Sequence, residues 1–435
     1  MGMRGFKPHD HLTGVVYGSL LRNLSCWYNG PSSNIKRIRV HRDPFMTTKN
    51  NRVTSQSEVV SGDNAFSYKR VIVKAGTSLL TGATDELDLK MMAKIVGQIA
   101  KLHASQIEIM LVSSGAVSAG RHVLGLSRQG KDLPLRQVLA AVGQGRVIHS
   151  YEQLFSRHGI KVAQALLSRR DLVDRLGYLN IRNTLLALLD RDVVPIINEN
   201  DVVAVEELAG NVFGDNDTLS AMVANIVDAD LLVLLGDIEG LYTRDPHLDP
   251  GARLVPIVKR ISDDVETMGG PSWKDNGRGG MATKLDAARL ATSSGINVVI
   301  ASGLELDVIT RLVNGESIGT FFPATSSKME SRKRWMLSGL SVKGEVGIDD
   351  GAAVVLRLEH RSLLPAGVTQ VNGYFERGDI ISILDSNRIQ IACGITNYGS
   401  RDLNEIKGVH SDRIIGTLGR EYGDEVVHRN NMVIL

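Results

Sequence analysis

The sequence predicts an α/β fold with a mostly parallel sheet sandwiched by helices, followed by a small β-rich domain. Three observations predict it. Short, uniformly apolar runs alternate with amphipathic helical stretches, the pattern of a parallel sheet covered on both faces. Polar residues recur directly after those runs, at the strand ends where ligands bind in such sheets. The pattern breaks after about residue 323, and the short apolar runs beyond it are punctuated by glycine.

The elements follow in order. Arg70 to Lys74 reads as a buried strand that Gly76 ends. Residues 87–104 read as a helix, with Leu89, Met92, Val96 and Ile99 at helical spacing and Asp88 as its N-cap. "IEIMLVS" is a strand and "SGAVSAG" a small-residue turn. "LRQVLAAVGQ" is helical, "KVAQALL" a strand, "LNIRNTLLALLD" helical and "VVPIIN" a strand. "DNDTLSAMVANIV" is helical, "DLLVLLG" a strand, "MATKLDAARLATSSG" helical and "INVVIA" a strand. The expected boundaries are an extension at 1–67, the α/β domain at 68–322, a polar linker at 323–337 and the β-rich domain at 338–435.

Composition sets limits. The 435 residues are 43% hydrophobic and 23% charged, with a formal net charge of +2, so the chain is no general polyanion binder. Cys26 and Cys393 match no metal or redox spacing and suit a reducing compartment. No apolar run is long enough to span a membrane. The first 67 residues are basic, acid-poor and rich in Ser and Asn. They fit a disordered extension, or upstream sequence read through from an early start codon, ahead of an organelle transit peptide.

Four polar stretches are candidates for chemistry. "GRGGMATK" (277–284) runs glycines into a lysine, but lacks the Walker spacing and the hydroxyl after the lysine. It is either a phosphate loop at a helix N-terminus, with Lys284 one turn inside, or a flexible glycine turn with a solvated lysine. "GDNDTLSA" (214–221) offers Asp215, Asn216 and Asp217 at a helix start. There an aspartate is either an N-cap, or part of a set that binds an ammonium group or orders lysines. "INEND" (197–201) repeats that theme at another strand end. In "VKAGTS", Lys74 ends a strand buried on both sides, where a lysine is better explained by an anionic ligand than as surface. The strand ends at Gly76, Ser114, Asn198 and Gly236 are expected along one rim.

Together these stretches resemble the amino acid kinase family, and its glutamate 5-kinase branch closely. The match runs through "VIVKAGTSLLTG", "LVSSGAVSAGRHVLG", "LAAVGQGRVIHSYEQLF", "YLNIRNTLLALL", "VPIINENDVVA", "GDNDTLSA", "GLYTRDP" and "GRGGMATKLDAA". The tail, with "SLLPAGVTQVNGYFERGD", resembles a PUA domain, a small β-rich barrel. The resemblance implies the amino acid kinase fold. It implies transfer of the γ-phosphoryl of ATP, with Mg2+, to the side-chain carboxylate of L-glutamate, the first step of proline biosynthesis. Lys74 and Lys284 would then flank the transferring phosphoryl, and Asp217 would orient both. Ser114, Asn198, Asp201, Asp215 and Asn216 would hold glutamate. Gly236, Asp237 and the loop Arg278, Gly279, Gly280, Met281, Ala282, Thr283, Lys284 would hold the nucleotide, together with Lys74. No protein ligand for the metal is named.

Three positions depart from the family pattern. Ala75 stands for a larger aliphatic residue, with little consequence expected. Gly236 stands for the usual Thr or Ser, which removes a hydroxyl from the expected nucleotide contact. Arg278 stands for a small residue, and either adds a phosphate contact or alters nucleotide preference. The resemblance further implies feedback inhibition by proline, a separate glutamyl-phosphate reductase to take the labile product, a homodimer or homotetramer, and a cytoplasmic place. Another reading, an RNA-binding protein with a vestigial kinase domain, is motivated by the tail. Acids slightly outnumber bases there, which makes RNA an unexpected main partner. Within the family, a kinase of N-acetylglutamate, aspartate or uridylate is the nearest enzyme with a different substrate. The PUA-like tail and the "INEND…GDND" series argue against all three.

Overall fold

A computed structural model describes residues 68–81, 85–126, 133–203, 216–270, 280–328 and 342–435. The expected N-terminal extension and most of the expected linker lie outside the described residues.

The first sheet has seven strands: β1 (Arg70–Ala75), β2 (Glu108–Val112), β3 (Lys161–Leu167), β4 (Val193–Glu199), β5 (Leu231–Gly236), β6 (Asn297–Ser302) and β7 (Thr320–Phe322). Their order is β3-β4-β2-β1-β5-β6-β7. Every pairing is parallel except that of β6 with β7 at the edge.

The helices of this part are α1 (Thr77–Thr81), α2 (Leu89–Ala104), α3 (Ala116–Leu124), α4 (Leu133–Ser156), α5 (Arg169–Val173), α6 (Arg175–Leu189), α7 (Asn216–Ile226), α8 (Asp263–Met268), α9 (Met281–Ser293) and α10 (Val308–Val313). They form a layer on each face. Side chains alternate along a strand, so Val71, Val73 and Ala75 of β1 pack with α2, α4 and α10. Ile72 goes to the opposite layer, with α7 and α9. Lys74 shares the parity of Ile72, which sends it toward α7 and α9.

Asp88 caps α2 as expected, accepting a hydrogen bond from the Met91 amide at 2.9 Å. Two expectations are corrected by the packing. Leu89 is 53% exposed, because burial falls on Met91, Met92, Ile95, Val96, Ile99 and Leu102 instead. "KVAQALL" is not uniformly buried: β3 is an edge strand, and Lys161 and Gln164 are exposed.

The stretch "SGAVSAG" is only partly a turn, since α3 begins at Ala116. Gly115, its N-cap, sits at φ +92°, a backbone region that a side chain would disfavour. The helix then packs unusually close to α4. A Cβ on Gly120 would lie 1.8 Å from the Leu139 carbonyl oxygen, and one on Gly143 would lie 1.8 Å from that of Ala116. This contact fixes α4 across the cleft from the strand ends.

The second sheet is formed by β8 (Gly344–Ile348), β9 (Val368–Gly373), β10 (Ile380–Leu384), β11 (Gln390–Ile395) and β12 (Met432–Ile434), in the order β12-β11-β10-β8-β9. The pairings are antiparallel except β8 with β10. Helices α11 (Asp350–Glu359), α12 (Ser400–Ile406) and α13 (Ile414–Leu418) accompany it. The run "DDGAAVVL", expected as part of a β-rich pattern, is helical: Asp349 caps α11 by accepting from the Ala352 amide at 2.7 Å.

This sheet meets the first domain through α6. Leu179 is fully buried against Ile380, Cys393, Ile395 and Val433, and Arg175 lies 3.7 Å from Asp379. No helix among the described residues is long and apolar enough to cross a membrane.

Candidate active site

The C-terminal ends of β1, β2, β4 and β5 open on one cleft of about 890 Å3. Gly76, Thr77, Ser78, Ser114, Gly115, Asn198, Asp201, Gly236 and Asp237 all line it, so the expected polar rim forms. A second cavity of about 770 Å3 adjoins it, sharing Ile238, Tyr242, Met281 and Gly280.

At the base of the cleft three elements converge. Lys74 is the last residue but one of β1 and is 4% exposed. Asp217 lies in the first turn of α7 with no exposure, and Lys284 in the first turn of α9. The Lys74 Nζ is 2.5 Å from Asp217 Oδ1, and the Lys284 Nζ is 3.3 Å from Oδ2. Thr283 Oγ1 donates to the same Oδ2 at 2.9 Å and accepts from the Gly280 amide at 3.2 Å. Asp217 is therefore no N-cap; its carboxylate is spent on side chains of other elements. Burial alone would push its carboxyl up, but the charges of Lys74 and Lys284, with hydrogen bonds from Lys74 and Thr283, hold it well below the usual carboxylate range. Two ammonium groups share one carboxylate, so the cluster keeps a net positive charge, and both lysines line the cleft.

A helix starts at "MATK", as the sequence suggests, and its first residues reach the cleft. Gly280 and Met281 line the cleft at the N-terminus of α9. The first-turn amides of a helix lack intrahelical partners and favour anions. Ala282 sits in that turn, and Thr283 turns inward to Asp217. A Cβ on Gly236 would lie 3.5 Å from Lys284 Cε, ordinary contact, so a small side chain fits there. Asp237 is exposed on the cleft wall. Arg278, Gly279 and Asp215 lie outside the described residues.

A second group lies beside the lysines. Asn216 Nδ2 donates to Ser114 Oγ at 3.0 Å, and Asn198 Nδ2 donates to Gln144 Oε1 at 2.9 Å. These bonds fix both amides and leave Asn198 Oδ1 and Asn216 Oδ1 buried without a hydrogen-bond donor among the described residues. Asp201 faces Arg136, Oδ1 to Nη2, at 3.5 Å. Behind Ser114, Ser113 Oγ meets Tyr151 OH at 3.1 Å; burial pushes that phenol up to about 12, against the opposing effect of the Ser113 bond. The amides of Ala116, Val117 and Ser118 begin α3 on the same wall.

Sequence reasoning missed Gln144 and Arg136, which it read only as part of a helix. A signal was present: Arg136 and Gly143 are seven residues apart, so the polar Arg136 shares a helix face with the tightly packed Gly143. Among the described residues, no group of three or more His, Cys, Asp or Glu side chains is placed to hold a metal ion.

Comparison with known proteins agrees with this architecture. Residues 69–302 match the amino acid kinase family, and residues 344–418 match the PUA domain. The chain is 52% identical over 372 residues to the glutamate 5-kinase of Dehalococcoides mccartyi (strain CBDB1), covering 86% of this chain and 100% of that protein. It is 48% identical over 368 residues to the glutamate 5-kinase of Shewanella amazonensis (85% and 96% covered) and 47% over 366 residues to that of Herpetosiphon aurantiacus (84% and 98%). The chain belongs to the amino acid kinase family, in its glutamate 5-kinase branch.

Proposed function

We infer that this chain transfers the γ-phosphoryl of ATP to the side-chain carboxylate of L-glutamate, giving L-glutamyl 5-phosphate and ADP, the opening step of proline biosynthesis. The observation that carries the reading is the buried Asp217 holding Lys74 and Lys284 at the base of the cleft, in a chain half identical to glutamate 5-kinases along their whole length.

The chemistry asks little of a base. The attacking oxygen belongs to a carboxylate that is already ionised, so it needs positioning and charge relief rather than deprotonation. One oxygen of the substrate carboxylate bonds to the γ-phosphorus as the bond to the β–γ bridging oxygen breaks. Negative charge moves toward that leaving oxygen. Lys74 and Lys284, fixed from two sides by one carboxylate, oppose charge on the equatorial and leaving oxygens without reorganising. The N-terminus of α9 and Gly236–Asp237 border the phosphates, and the adjoining cavity by Met281 and Tyr242 takes the base. Magnesium, held by the phosphates and water, would supply further charge neutralisation. Asp237 is a cleft-wall carboxylate beside Gly236 that would be available to its water shell. On the acceptor side, Ser114, Asn198 and Asn216 orient glutamate, Asp201 takes its ammonium group, and Asp215 belongs to the same motif.

The wider reading follows from the branch: inhibition by proline, a separate reductase consuming the acyl phosphate, a homodimer or homotetramer, and a cytoplasmic site of action. The experiment uses purified protein, magnesium-ATP and hydroxylamine, which traps an acyl phosphate as a hydroxamate. L-glutamate, L-aspartate and N-acetyl-L-glutamate are offered separately. Hydroxamate from L-glutamate alone, lost in Lys74→Ala and Lys284→Ala while circular dichroism stays unchanged, is the expected result. Product from another acid instead would overturn the substrate.

A further inference from the structure

An L-glutamate molecule bound for this reaction presents three charges: the reacting carboxylate, the α-ammonium and the α-carboxylate. The cleft answers the first with Lys74 and Lys284. It answers the second with acceptors: the Asp201 carboxylate and the donor-free oxygens of Asn198 and Asn216. The third calls for donors, and a cation supplies donors and charge together. Among the described residues lining the cleft, the lysine and arginine side chains are Lys74, Lys284 and Arg136. Both lysines face Asp217 and the phosphoryl group, and Arg136 is the cation beside Asp201.

We propose that Arg136 is a specificity residue of the acceptor site, its guanidinium taking the α-carboxylate of L-glutamate while Asp201 takes the α-ammonium. The inference rests on the functional reading above. Its geometry is that of a charge pair meeting a zwitterion. Arg136 Nη2 and Asp201 Oδ1 are 3.5 Å apart, longer than a closed charge-assisted hydrogen bond of roughly 2.7–2.9 Å. A guanidinium carries five donors in a fixed fork that fits a carboxylate, and the Nε of Arg136 is buried with no acceptor among the described residues. Their side chains are only 15% and 13% exposed, so water screens them weakly. A zwitterionic head group laid across the pair alternates charges: guanidinium, carboxylate, ammonium, aspartate.

The segment bearing Asp201 has a tie to α4 besides Arg136. Gln137 Nε2 already donates to the Val202 carbonyl at 3.0 Å, and Gly143 docks α4 on α3. A role confined to that tether would leave substrate choice unchanged when Arg136 is replaced.

The test compares L-glutamate with L-isoglutamine, which keeps the reacting carboxylate and the ammonium but carries an amide for the α-carboxylate. Hydroxamate formation gives kcat and KM for both substrates in the wild type, Arg136→Gln and Arg136→Lys. The wild type is expected to favour L-glutamate about 10- to 100-fold in kcat/KM. Arg136→Gln should lose that factor for L-glutamate through KM, with kcat nearly kept, and leave L-isoglutamine unchanged. Arg136→Lys, which keeps the charge without the fork, should fall between. If Arg136→Gln does not fold, Arg136→Lys decides alone: a several-fold drop in the ratio supports the assignment, and an unchanged ratio overturns it. Equal losses on both substrates, or a wild type that does not discriminate, also overturn it. A wild type that forms no product from L-glutamate but does so from another acid fails the functional reading itself, a result distinct from these.

Discussion

Replacing Asp217 by Asn keeps the shape and removes the charge that two lysines share. Lys74, 4% exposed, would then lack its counter-ion, and leaving a buried charge uncompensated costs about 3–5 kcal/mol. Urea unfolding of Asp217→Asn should register that loss, and hydroxamate formation should fall by about 100-fold or more, as when preorganised charge is removed elsewhere. The same carboxylate gives a pH signature. Its folded pKa lies below the ordinary value of 3.8, so its contribution to stability is complete above about pH 4 and fades as pH falls toward the folded pKa. Thermal scans between pH 6 and pH 2 (a range set by the reference values) should therefore show a steeper acid decline in the wild type than in Asp217→Asn. Gly236 is the milder case. A serine there meets Lys284 Cε at ordinary contact distance and adds a hydroxyl to the nucleotide side. Gly236→Ser should fold like the wild type and lower KM for ATP by about 2- to 10-fold, the worth of one added hydrogen bond.

Among the elements, the contact between α3 and α4 carries the acceptor wall. Gly115 turns the chain into α3, and Gly120 and Gly143 let the two helices touch backbone to backbone. Gly143→Ala would place a Cβ 1.8 Å from the Ala116 carbonyl oxygen, which only a shift of backbone can relieve. A cost of about 1–3 kcal/mol is expected by thermal denaturation. KM for L-glutamate should rise more than KM for ATP, because the proposed function puts α3 and Gln144 on the acceptor side and α9 at the phosphates. Legibility also varied by element. The central strand β1 was readable because both its faces are buried. Edge strand β3 was read as a strand, but its exposure was not, since a strand's place in the sheet order is not written in its own residues. Helix α11 was misread because a short apolar run does not distinguish helix from strand by period.

Across the whole molecule, the second sheet docks on α6 through Leu179, which no local pattern marks as an interface residue. It is fully buried against Ile380, Cys393, Ile395 and Val433. Leu179→Ala should cost about 2–5 kcal/mol at this junction. Calorimetry should then resolve two transitions where the wild type gives one, because the domains lose part of their coupling.

Local sequence was enough to define the layers, the strand ends and the residue types of the site. Periodicity and turn chemistry are local, so Lys74, the "GDND" run and the "MATK" helix start were all visible as candidates. It left open whether Asp217 capped a helix or ordered lysines, and whether "GRGGMATK" was a working loop. Three-dimensional packing resolves the first, and for the second it brings Lys284 to join Lys74 at Asp217. The reason is physical: a carboxylate's role depends on which charges reach it, and those charges come from strands and helices distant in the chain. Arg136 and Gln144 take their places from that packing too, since the glycine contact between α3 and α4 is what sets their helix against Asp201 and Asn198.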